Sequence, residues 1–106
     1  QDNTIASAFP TVVTAANAAK IPVYSSVDTM VKQGSIASVA QSQYDLGLET
    51  AKIAVKILAG KKVSEVPVKV VDTGVPTVNL KAAKELGITI PDSLLEEADI
   101  AVEADE

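Results

Sequence analysis

At 106 residues with a formal net charge of −5, the chain has length for one hydrophobic core but not for two domains that each build their own. Hydrophobic residues make up 47% and aromatics only 3%, so Ala, Val, Ile and Leu must form that core, as they do where helices pack onto a sheet in α/β layers. The absence of Cys and His excludes thiol chemistry, zinc sites of the Cys/His kind and a His-based triad within the chain. The composition argues equally against a disordered chain, a disulfide scaffold and a basic nucleic-acid binder.

The charge is uneven. The last eleven residues, Glu96 to Glu106, hold six of the fourteen acids, and the rest of the chain is close to neutral. This acidic end reads as a solvated terminal helix, the alternative being a patch for a cation or a basic partner. No basic start precedes a long apolar run, and no apolar stretch is long enough to span a membrane.

In chain order, Asp2-Asn3-Thr4 supplies capping side chains for a helix from Ile5 to Lys20, which Pro10 should kink or restart. Ile21 to Ser25 reads as a short buried strand with a polar mouth at Ser25-Ser26. Asp28 to Gln33 reads as a single helical turn closed by Gly34, and Ile36 to Gln41 as a strand of small and β-branched residues. The clearest helix runs from about Asp45 to Ala59, where Leu48, Ala51, Val55 and Leu58 fall at helical spacing and Gly60 supplies the stop.

Val66 to Asp72 alternates partially and reads as a strand, broken by Gly74 and Pro76 before a short strand at Thr77-Val78-Asn79. Leu80 to Leu86 is a short helix stopped by Gly87. Asp92 or Ser93 caps a last helix. A helix cap at residue 2 with no strand ahead of it leaves the first βα unit without its β, so the chain reads as a piece of something longer. Its open strand edges invite pairing with another chain, including a domain-swapped homodimer.

Several stretches resemble one family. They are Asp2 to Pro10, Lys20 to Ser26, Tyr44-Asp45-Leu46-Gly47 at the head of a helix, and above all Val78 to Leu95. In order and spacing they are similar to the C-terminal portion of ABC-transporter substrate-binding proteins of the tryptophan or aromatic amino acid-binding type. The resemblance covers essentially the whole chain.

It implies a type I periplasmic-binding-protein fold with two α/β lobes, and for this chain a three-layer, Rossmann-like lobe fragment. Residues 1–40 would belong to the second lobe. Residues 41–66 would cross to the first lobe and form a helix there, and residues 67–106 would supply a crossing strand and C-terminal helices. The implied partners are a small-molecule ligand held between the lobes, the N-terminal portion of the same protein and an ABC permease, with no nucleic acid and no cofactor. The implied location is the periplasm or, with a lipid anchor, the outer face of the cytoplasmic membrane. A ligand-sensing domain of a transcription regulator on the same fold is the alternative from a different class, and a self-associating piece that binds nothing is the third reading.

The candidate ligand-binding residues follow from strand ends and helix starts. Asp2 and Asn3 open a helix, where free backbone N–H groups and the helix dipole suit an anionic group, although the same pair is also a plain cap. Ser25 and Ser26, with Asp28 nearby, follow a buried strand, and α/β crevices place ligands at such strand ends, although a Ser there also simply forms a turn. Gln41 and Ser42 follow the Ile36 strand, which by resemblance is an interlobe crossing. There they would bond the ligand or tie the backbone.

The family more often has a Val-Asp-Tyr-Tyr-like stretch where Gln41-Ser42-Gln43-Tyr44 stands, so an acid is missing from this crossing. Tyr44 has a face that could stack on a ligand or pack at the hinge, and Phe9 and Tyr24 read as core. No catalytic constellation is present: there is no His base, no Ser-x-x-Lys, no phosphate-cradling glycine motif and no EF-hand loop. The expectation is a binding protein and not an enzyme.

Overall fold

A computed structural model of the chain describes residues 2–72 and 74–105. The chain divides into two compact units, one of residues 1–40 and 75–106, the other of residues 41–74.

The larger unit is α/β, a four-stranded sheet flanked by helices. Helix α1, Asn3–Ala18, starts where the Asp2 side chain accepts a hydrogen bond from the Ile5 N–H at 3.0 Å. It runs unbroken through Pro10, so the expected restart does not occur. The ring removes one N–H from the ladder, and the Thr14 hydroxyl donates to the Pro10 carbonyl at 2.9 Å within the same helix. Strand β1 is only Tyr24–Ser25, shorter than the apolar run implied, because Pro22 offers no N–H for a ladder. A short helix, α2 (Asp28–Lys32), leads into β2, Ala37–Ala40.

Beyond the second unit the chain returns as β3, Val75–Asn79, helix α4, Leu80–Leu86, a turn of helix α5, Asp92–Leu95, and strand β4, Asp99–Val102. The strands lie in the order β1-β2-β3-β4. The β1–β2 pair is parallel, β2–β3 antiparallel and β3–β4 parallel. The acidic end therefore contributes a strand in place of the expected terminal helix. Ile100 and Val102 sit in register against Val78 and Asn79, and that pairing prevails over the helix-favouring Glu and Ala content.

Small residues let the layers approach closely. Ile36, Ala82 and Ala83 form a buried cluster with Ala37, Leu86, Ile88 and Ile90 packed around it. Gly34, at φ 116°, follows α2 where a Cβ would stand 2.6 Å from Val13 Cγ1 of α1, so only glycine lets these elements meet. Asn79 ties three elements together. Its Nδ2 donates to the Val31 carbonyl at 2.8 Å and its Oδ1 accepts the Ala82 N–H at 2.8 Å as the cap of α4.

The smaller unit holds helix α3, Gln43–Leu58, capped by the Ser42 hydroxyl, which accepts from the Asp45 N–H at 3.2 Å, and a 3-10 turn at Val63–Glu65. Residues 66–72 do not form the expected strand. An alternating segment becomes a strand only where a neighbour can pair its N–H and C=O groups, and the described part of this unit contains no strand to do so.

Candidate functional site

In the larger unit a cavity of about 470 Å³, within the range of small-molecule sites, opens where the start of α1 meets the carboxyl end of β1 and the first residues of α2. Its polar wall is Asp2, Asn3, Ser25 and Ser26, and its apolar wall includes Ile5, Phe9, Tyr24, Val27 and Met30. The position is the one at which open α/β sheets place ligands, outside the carboxyl end of a strand and beside a helix start. Four of the residues picked out from sequence are brought together here.

The remaining three do not line this cavity. Asp28 opens α2, and its carboxylate accepts from the Thr29 N–H at 2.8 Å. Gln41 and Ser42 lie in the other unit, where Ser42 is occupied as the cap of α3.

The electrostatics of the wall differ from those of a bare helix start. Asp2 takes the Ile5 N–H itself, and the N–H groups of Ile5 and then Thr4 hold its carboxyl below the usual carboxylate value. The start of α1 thus carries its own anion at neutral pH. The site faces the cavity with a carboxylate that would repel a second one and attract a cation.

Tyr24 corrects another expectation. It is 66% exposed and lines the cavity, on β1 at the edge of the described sheet. Phe9 is buried at 4% exposure, as read, and also forms part of the wall. Val27, Thr29 and Met30 belong to the lining but carried no signal in sequence, since apolar residues and threonine in a short connecting helix look the same whether or not a cavity lies beside them.

A second cavity, of about 370 Å³, lies wholly in the smaller unit between α3 and residues 69–72. Its lining carries the acids Asp45, Glu49 and Asp72 and the lysines Lys52 and Lys69. Glu49 is bonded by Lys52 at 2.5 Å and by Lys69, and the two ammonium groups hold its carboxyl down to about 2. Among the described residues no group of three potential ligand side chains could hold a metal ion, and no helix is long and apolar enough to cross a membrane.

Comparison with known proteins shows the family. Residues 1–102 match the family model of ABC transporter substrate-binding proteins. Over 85 residues the chain is 33% identical to the tyrosine-binding protein of Clostridioides difficile (strain R20291), covering 80% of this chain and 25% of that protein. Among solved structures, an ABC domain from Streptococcus pneumoniae in complex with L-Trp superposes with a TM-score of 0.83 at 50% identity, covering 93% of this chain and 34% of that one. A conserved domain protein from Vibrio cholerae gives a TM-score of 0.84 at 39% identity, covering 93% and 33%. A substrate-binding protein with adhesive properties from Clostridium difficile, in its ligand-free, open form, gives 0.68 at 35%, covering 94% and 33%.

The chain thus spans a quarter to a third of the length of these relatives. Identity of this level over nearly the whole chain, together with the shared fold, makes it a member of the ABC transporter substrate-binding protein family.

Proposed function

We propose that this chain works as part of a two-lobed solute-binding protein that captures an amino acid, and in particular an aromatic one, and hands it to an ABC permease. Capture takes place outside the cytoplasmic membrane, in the periplasm or at the membrane's outer face on a lipid anchor. The observation that carries this reading is the pairing, in one cavity, of an ionised Asp2 and the Ser25 hydroxyl with the exposed face of Tyr24 and the apolar Phe9 and Met30. An ammonium group suits the first two, and a flat hydrocarbon or indole suits the others. The L-Trp bound in the Streptococcus pneumoniae relative and the tyrosine of the Clostridioides difficile relative's name supply the aromatic class.

Closure of one lobe on the other about a hinge would then strip water from the ligand and present the closed form to the permease. Nothing in such a cycle requires bond making or breaking, in keeping with a binding protein and not an enzyme.

Calorimetric titration of the complete protein bearing this chain tests the reading, with L-Trp, L-Tyr and L-Phe set against a sugar and a nucleoside. One or more of the aromatic amino acids is expected to bind. Asp2→Asn, which keeps a cap acceptor but removes the charge, is expected to weaken that binding about tenfold or more. Binding of the sugar or nucleoside alone would sink the reading.

A further inference from the structure

The cavity between α1, β1 and α2 carries one charge. Asp2, held ionised, is the sole charged side chain in its described lining, and the other polar groups there are the neutral Asn3, Ser25, Ser26 and Thr29. An amino acid brings both an ammonium and a carboxylate to such a wall, and only the ammonium meets its opposite.

The chain has little with which to receive the carboxylate. Its nine basic residues are all lysines, so no guanidinium is present to grip a carboxylate through two parallel N–H bonds. None of the nine is in the cavity's described lining. Within the larger unit, Lys20 follows the far end of α1, about 24 Å along a helix of 16 residues. Lys32 and Lys81 line a different cavity, and Lys84 bonds Asp105 at 2.9 Å.

Helix starts are another common seat for an anion. The two beside this cavity are filled from within the chain. At α1 the Asp2 carboxylate takes the Ile5 N–H at 3.0 Å and is held by Thr4 as well, while the Ala6 N–H bonds the Asp2 carbonyl at 2.9 Å. At α2 the Asp28 carboxylate takes the Thr29 N–H at 2.8 Å. Asn3, Ser26 and Thr29 have side chains that can bond a ligand oxygen, but being neutral they do not offset its charge.

We infer that this cavity recognises only the ring and the ammonium of its ligand, so that the class it admits includes aromatic monoamines, which have both and carry no carboxylate. The inference rests on the reading of this cavity as the ligand site. In an amino acid held here, the carboxylate is turned away from Asp2 and is recognised by groups outside the cavity's described lining.

The test uses the complete protein and three probes that share an indole: L-tryptophan, tryptamine, which lacks the carboxylate, and indole-3-propionate, which lacks the ammonium. Tryptamine is expected to displace L-tryptophan from the wild type. Asp2→Asn keeps a cap acceptor and removes the charge. It is expected to weaken L-tryptophan and tryptamine by the same factor, about tenfold, and to leave indole-3-propionate no weaker.

Failure of tryptamine to displace L-tryptophan at about a hundredfold excess would overturn the inference, and that measurement needs no variant. An Asp2→Asn change that weakens neither ligand, L-tryptophan alone, or all three probes alike would also overturn it. A wild type that binds tryptamine but no aromatic amino acid would uphold this inference and sink the proposed function. One that binds none of them would sink both.

Discussion

Among the described residues two carboxylates are held ionised below their ordinary range, and they show how differently a single charge can be used. Asp2 is held by backbone N–H groups at the start of α1, in the wall of the cavity. Glu49 is held by two flexible lysines, first Lys52 and then Lys69, from 4.5 down to about 2. Because the folded value lies below the unfolded one, whatever the Glu49 pairs contribute to stability is fully present above about pH 4.5 and is lost as pH falls toward 2. Both lysines are more than half exposed, so salt should weaken the pairs. A titration of the Glu49 carboxyl carbon by NMR should show a midpoint near 2, moving up toward 4.5 in Lys69→Met and further with Lys52→Met. A midpoint at the ordinary value in the unaltered chain would show that these pairs do not form in solution.

At this scale the sequence was legible where a local pattern exists. Asp2 ahead of an Ala-rich run reads as a cap and is one. The bond between Ser35 and Ser25 was not legible, because it joins residues ten apart beside a strand pairing that no local pattern announces.

Among the elements, those with strong helical spacing were readable to within two residues or so. Helix α3 runs from Gln43 to Leu58 where spacing predicted about Asp45 to Ala59, and α4 occupies Leu80–Leu86 as read, with Gly87 in the left-handed conformation closing it. The misread elements are those decided by distant partners. Residues 66–72 carry strand-like alternation and find no strand to pair with, whereas Asp99–Val102 carries charge and alanine and becomes a strand because β3 offers an edge.

Asn79 is where such long-range ties converge, since it ends β3, caps α4 and bonds the last turn of α2. Asn79→Ala removes two buried hydrogen bonds and leaves the Val31 carbonyl and the Ala82 N–H without those partners, a loss of about 2–4 kcal/mol. Asn79→Asp restores the cap acceptor but sets a carboxylate against the Val31 carbonyl, so it should recover little of that loss. Urea denaturation of both variants checks this, and a change below about 0.5 kcal/mol in Asn79→Ala would show that the tie carries no weight.

For the molecule as a whole, composition was informative about class and silent about arrangement. Abundant small and β-branched residues with few aromatics pointed to an α/β layer, and the larger unit is one. The sheet's alternation of parallel, antiparallel and parallel pairs was not readable, because strand partners are chosen by the whole set of contacts and not by any strand's own residues. The net charge of −5 also says less than it first suggests. Much of it sits in the last eleven residues, while the charge that matters at the cavity is the single carboxylate of Asp2.

The central claim is that this cavity receives the ammonium end of an amino acid. A crystal structure of the complete protein with L-tryptophan tests it most directly. The account predicts the ligand nitrogen within about 3 Å of both the Asp2 carboxylate and Ser25 Oγ, with the indole against Tyr24. A ligand carboxylate facing Asp2, or a tryptophan bound away from these residues, would contradict it.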